Sequence, residues 1–98
     1  MKIALAQINP TVGDYTGNSK VIKKIINDYN STVDLIIFPE MTLTGYPPQD
    51  LLFDSGFIHQ AEKSLKQIAK ETNDTSVILG TVRKENDALY NTAALLLN

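Results

Sequence analysis

Leu35-Ile36-Ile37-Phe38 is an apolar run without alternation, and Pro39 stops it. A strand that faces water on one side alternates apolar with polar residues. An unbroken run is the pattern of a strand inside a parallel sheet, buried on both faces. Parallel neighbours need a crossover, and the residues upstream supply one. Ile3 to Gln7 reads as a short first strand, and Asn9-Pro10-Thr11-Val12-Gly13-Asp14 as turn chemistry. Val21, Ile22, Ile25, Ile26 and Tyr29 then recur at helical spacing, with Lys20, Lys23, Lys24 and Asp28 opposite. Asn18, after Gly17, is placed to cap this helix of about three turns, and Asn30-Ser31 to end it. Strand, helix, strand is a βαβ unit. Its crossover is almost always right-handed, and the C-terminal ends of its two strands lie on the same side.

The second half extends the pattern. Ile58, Ala61, Leu65, Ile68 and Ala69 mark a second helix, with Asp54 or Ser55 as its cap and Lys63, Lys66 and Lys70 off the stripe. Val77-Ile78-Leu79-Gly80 reads as a third strand, Lys84-Glu85-Asn86-Asp87 as a polar turn, and Leu89 to Leu97 as a fourth strand. So short a link holds no parallel crossover, which makes strands three and four an antiparallel hairpin. The order is β-α-β-α-β-β, an α/β layer. An apolar strand that runs to the final residues without a turn or cap leads to a further expectation. Residues 1–98 are the amino-terminal part of a single truncated domain, or else a partner supplies the next strand; the first is favoured.

Composition closes off several function classes. An apolar share of 43% with 20% charged residues is ordinary for a soluble domain. The net charge is −2 and the Lys and Arg residues are dispersed. That argues against a nucleic-acid or anionic-membrane surface. No apolar stretch approaches the roughly 20 residues of a spanning helix. The opening strand reaches Gln7-Ile8-Asn9-Pro10 too soon for a signal peptide, so the expected location is cytoplasmic. There is no cysteine and one histidine. These residues therefore hold no disulfide, no thiolate or imidazole metal site and no cysteine nucleophile. No Gly-rich phosphate loop occurs, so nothing supports a nucleotide cofactor on this chain.

The residue of most chemical interest follows the proline. Ligand sites in open α/β sheets gather beyond the carboxyl ends of the strands. Glu40 stands there, two residues past the expected end of the second strand, and Pro39 gives it a defined exit. Position alone favours a solvated loop glutamate; a carboxylate partly buried at that edge is placed to act as a general base. In Thr44-Gly45-Tyr46-Pro47-Pro48, the proline after Tyr46 holds it extended, either packed on the core or facing a ligand. Pro48 is placed to open a helical turn through Gln49-Asp50-Leu51-Leu52. His59 lies about 100° from the apolar stripe of its helix and reads as surface. Arg83 and Lys84 read as solvated. Asn91, an amide inside a strand, reads as a structural hydrogen-bonding residue.

KIALAQINPTVGD, DLIIFPEMTLTGYPPQDLL and ILGTVRKENDALYNTAALL, in that order and without large gaps, resemble the nitrilase (carbon–nitrogen hydrolase) superfamily. Within it they are most similar to the amino-terminal glutaminase domains of glutamine-dependent NAD+ synthetases. FPE alone is a weak triplet; FPE with LTGYPPQDLL after it and AQINPTVGD before it is far more specific. The resemblance implies part of a four-layer α-β-β-α sandwich. It implies a glutamate, a lysine and a cysteine acting on the side-chain amide of glutamine, and places Glu40 as the general base. Tyr46 matches the pocket loop and is expected near the glutamine site. The lysine and cysteine lie further along the family sequence, so the isolated chain is expected to be inactive; Lys84, in the hairpin, is not that lysine. ATP and Mg2+ are implied for a separate synthetase domain, and a homo-oligomer for the full enzyme. The alternatives are a fragment of a free-standing amidase of the same superfamily and a non-catalytic chain that assembles through its open sheet edge.

Overall fold

The computed structural model describes residues 1–46 and 54–97. In chain order the elements are β1 (Ile3–Leu5), α1 (Tyr15–Tyr29), β2 (Leu35–Ile37), α2 (Ser55–Ala69), β3 (Ser76–Glu85) and β4 (Ala88–Leu96). They form one sheet in the order β1-β2-β3-β4. The β1–β2 and β2–β3 pairs are parallel and β3–β4 is antiparallel. The β-α-β-α-β-β reading and the hairpin are therefore both present. The hairpin turns on Asn86 and Asp87, both at positive φ, as a two-residue connection requires. It is shorter than the four-residue turn expected, because Lys84 and Glu85 still pair with Leu89 and Ala88.

The crossovers explain where the core lies. Both step the same way along the sheet, and two right-handed steps in one direction put both helices on one face. Burial follows suit. Ile36, Val77, Leu79 and Leu96 on that face pack with Ile22 and Ile26 of α1 and with Ile58, Ala61 and Ile68 of α2. Burying each large aliphatic side chain contributes about 1.5–3 kcal/mol. The opposite face is uncovered along much of the sheet: Leu5 is 70% exposed and Leu95 58% exposed, and Leu35, Ile37 and Ile78 are half-buried, while Gly80 and Val82 of β3 are buried on it. The unbroken apolar run of β2 thus marks an interior strand, as expected, but within this chain only one of its faces is covered.

The start of α1 differs from the sequence expectation. Asp14 is the cap, accepting from the Gly17 amide at 2.9 Å, and the helix begins at Tyr15. Asn18 lies in the first turn and is 4% exposed. Its amide nitrogen donates to the carbonyls of Thr11 (2.8 Å) and Leu43 (3.1 Å), and its oxygen accepts from the Thr11 amide (2.9 Å). A buried amide must find partners; here they tie the loop before α1 to the loop after β2. The α1 stripe also shifts, to Tyr15, Asn18, Ser19, Ile22 and Ile26, leaving Val21 and Tyr29 exposed. In α2 the expected stripe holds and Asp54 is the cap, accepting from the Gly56 and Phe57 amides.

Tyr15 joins the two helices. Its hydroxyl donates to the Phe57 carbonyl at 2.6 Å, and the two rings pack with centroids 5.0 Å apart. Burial, and then the charge of Asp54, push its phenol above the ordinary tyrosine range. The unfolded chain therefore loses this proton first, near pH 10. Tyr15 contributes its full stability below that pH and loses it progressively above. Tyr15→Phe in the full-length protein is expected to cost about 1 kcal/mol at neutral pH by denaturant unfolding. The gap to wild type should close above about pH 10; a gap independent of pH would contradict this role.

Candidate functional site

β2 ends at Ile37, yet Phe38 extends its pairing by one bond, its amide donating to the Ile78 carbonyl at 2.9 Å. At Pro39 the chain leaves the sheet at the C-terminal edge of the parallel strands and turns back over β3. Gly80 makes that turn possible. A Cβ there would stand 2.6 Å from the Met41 amide nitrogen and 2.8 Å from the Glu40 Cα. These are backbone atoms that cannot swing aside. The turn then closes on itself: the Thr42 hydroxyl donates to the Pro39 carbonyl and the Gly45 amide to the Met41 carbonyl at 2.8 Å. Met41 takes φ +48°, sparsely populated for a residue with a side chain and costing about 1 kcal/mol or more. Such strain persists where the surroundings enforce it, and here they do.

The far side of the turn is anchored equally well. Met41, Thr42, Leu43 and Thr44 are buried. The Gly13 amide donates to the Thr44 carbonyl at 2.9 Å, and Asn18 holds the Leu43 carbonyl. Gly45 is at φ +84°, and a Cβ there would fall 2.6 Å from the Val12 amide nitrogen, so both conformation and space call for glycine.

Glu40 is thereby presented from a fixed turn, with its side chain exposed. Its Oε1 accepts from the Asn91 amide nitrogen at 2.6 Å, across from β4. The two residues share a cleft of ≈ 290 Å³ with Phe38, Pro39, Ile78, Gly80, Thr92 and Ala93. Asn91 pairs with Val82 in the ladder and lies on the uncovered face, exposed, not inside a buried strand as its sequence context suggested. Its hydrogen-bonding role is real, but the partner is Glu40. Two residues that shape the site were thus not read from sequence as site residues. Gly80 showed only as a glycine closing an apolar strand, and Asn91 only as a polar break in one.

The other candidates fall away from this cleft. Tyr46 is 63% exposed, which removes the reading of a tyrosine packed on the core; among the described residues it does not line the Glu40 cleft. His59 is exposed on α2. Arg83 pairs loosely with Glu85 at 3.6 Å and Lys84 is exposed near the hairpin tip, both solvated as expected. The helical turn expected after Pro48 lies outside the described residues. Among the described residues, no helix is long and apolar enough to cross a membrane.

Glu40 thus stands on a closed turn beyond the carboxyl end of β2, where its position after Pro39 placed it. The carbon–nitrogen hydrolase model matches residues 2–98, and the chain belongs to that family. Among curated relatives, the glutamine-dependent NAD(+) synthetase of Aquifex aeolicus is 42% identical over 98 residues, covering 98% of this chain and 17% of the relative. A solved glutamine-dependent NAD(+) synthetase from Cytophaga hutchinsonii superposes with a TM-score of 0.92 at 29% identity, over 98% of this chain and 17% of its own. An amidase from Nesterenkonia sp. shares the fold, with a TM-score of 0.76 at 19% identity over 87% of this chain and 33% of its own. The chain therefore spans about one sixth of these two synthetases, 17% of each.

The seat under the turn can be tested directly. Gly80→Ala should destabilise the full-length protein by about 1–3 kcal/mol, as overpacking does, measured by denaturant unfolding. An unchanged midpoint would show that the turn is not held by this contact.

Proposed function

We propose that residues 1–98 are part of a single glutamine amidohydrolase domain of a glutamine-dependent NAD+ synthetase, and that Glu40 is its general base. The observation that carries the reading is the placement of Glu40, on a strained, closed turn seated on Gly80 at the C-terminal edge of the parallel strands. The family match across residues 2–98 and the likeness to synthetases support it.

In this reading the rest of the domain brings a cysteine and a lysine to Glu40. The chain itself contains no cysteine, so by itself it has no thiol nucleophile. Glu40 takes the thiol proton, and the sulfur attacks the carboxamide carbon of the glutamine side chain. The lysine stabilises the oxyanion of the tetrahedral adduct. The adduct collapses to a thioester with release of ammonia, the amide nitrogen taking up the proton that Glu40 held. Water, deprotonated by Glu40, then cleaves the thioester to glutamate and free thiol. Tyr46, exposed on the same loop, is available to line the glutamine pocket. Ammonia passes to a separate synthetase domain, where ATP and Mg2+ serve amidation of deamido-NAD, in a cytoplasmic homo-oligomer. The uncovered face carrying Ile3, Leu5, Ile37 and Leu95 packs against a second sheet, which completes the α-β-β-α sandwich.

A free-standing amidase is the second reading, favoured only by the shared fold of the Nesterenkonia protein. Ammonia release from glutamine by the full-length protein tests the base, and ATP-dependent amidation of deamido-NAD decides between the two readings. Glu40→Gln should lower it by about 10²–10⁴-fold. A loss below about tenfold contradicts the general-base role. Absence of ATP-dependent amidation of deamido-NAD in wild type would favour the amidase.

A further inference from the structure

A carboxylate that must take a proton from a neighbouring group needs one oxygen free and aimed, and a side chain held still. A glutamate reaches its carboxylate through three rotatable bonds, so a rigid turn fixes where Glu40 starts but not where its oxygens end. The turn alone is insufficient. The described residues offer one group that supplies the rest.

The Asn91 amide nitrogen donates to Oε1 of Glu40 at 2.6 Å. An ionised carboxylate only accepts hydrogen bonds, so the amide presents its NH2 to Glu40 and not its oxygen. This donor engages Oε1, and Oε2 is the carboxylate oxygen without a side-chain partner among the described residues. Asn91 is itself well placed for the task. It sits in the β3–β4 ladder opposite Val82, two pairs from the Gly80–Ala93 pair on which the Glu40 turn is seated. One strand pair thus carries both the seat of the turn and the clamp on its side chain. The remaining residues of the cleft, Phe38, Pro39, Ile78, Gly80, Thr92 and Ala93, bear no titratable group. Among the described residues, Glu40 is therefore the one charged side chain there, and Asn91 the one side chain that donates a hydrogen bond to it.

We infer that Asn91 is a positioning residue for glutamine hydrolysis, holding Oε1 of Glu40 so that Oε2 faces the group to be deprotonated. This rests on the general-base role of Glu40 and adds a second residue to it. Asn91 does not touch substrate in this account; it acts through Glu40 alone. That makes a specific prediction about coupling, since residues that work as a unit are not additive when removed.

The test is a double-mutant cycle on the full-length protein, reading ammonia release from glutamine. Asn91→Ala in the wild-type background should lower kcat by roughly ten- to a hundredfold, the scale of a lost hydrogen bond to a charged group, with little change in KM. In the Glu40→Gln background the same substitution should cost almost nothing further. Asn91→Asp, similar in shape but placing a second carboxylate against the first, should be at least as damaging as Asn91→Ala. It also decides the matter if Asn91→Ala fails to fold. Equal costs of Asn91→Ala in both backgrounds, or an effect confined to KM, overturn the positioning role. Full activity of Asn91→Asp overturns it too. A Glu40→Gln enzyme as active as wild type would instead overturn the general-base reading on which this one stands.

Discussion

Where β3 passes beneath the Pro39–Met41 turn, the packing leaves room for a hydrogen atom and nothing larger. This contact decides where Glu40 stands. A side chain at position 80 would lift the turn and break the short pairing of Phe38 with Ile78, which carries β2 into it. Because the contact is backbone against backbone, it has no rotamers through which to relax. The turn is accordingly closed by its own hydrogen bonds and carries a strained Met41 that nothing allows to unwind. Rigidity at this position is built from exclusion of volume as much as from attraction.

The rest of the fold serves that contact. Two crossovers in the same sense place α1 and α2 on one face and pack their stripes on Ile36, Val77 and Leu79. This holds β2 and β3 side by side and in register, so that the end of one strand meets the glycine of the other. Asn18 and the Gly13 amide then fasten the outgoing limb of the turn to the start of α1. The hairpin brings β4 back alongside, and with it the amide that reaches Glu40. Helix packing, strand register and turn geometry therefore converge on one carboxylate.

Much of this was legible in the residues and some was not, for physical reasons. Apolar patterning located all six elements of the described residues, because burial selects side chains by face and face follows from local geometry. Pro39 and the position of Glu40 past an apolar run gave the site's edge. Asn18 was misread because a polar residue near a helix start satisfies local capping and tertiary bonding equally well on paper; only the placement of Thr11 and Leu43 shows which it does. Gly80 and Asn91 stayed hidden for a related reason. Their roles depend on residues about 40 and 51 positions away, and no local pattern records a backbone approach or a cross-strand acceptor. The family resemblance suggested the general-base role proposed for Glu40, which position alone left open.

The central claim is that Glu40 rides on a turn already formed before any substrate arrives. Native-state hydrogen exchange in the full-length protein, without glutamine, tests this most directly. The amides of Phe38, Gly13 and Gly45 are bonded to Ile78, Thr44 and Met41, and the account predicts that they exchange as slowly as the central amides of β2 and β3. Exchange at these three sites as fast as in exposed loops, with protection appearing only when the proposed substrate, glutamine, is added, would contradict it.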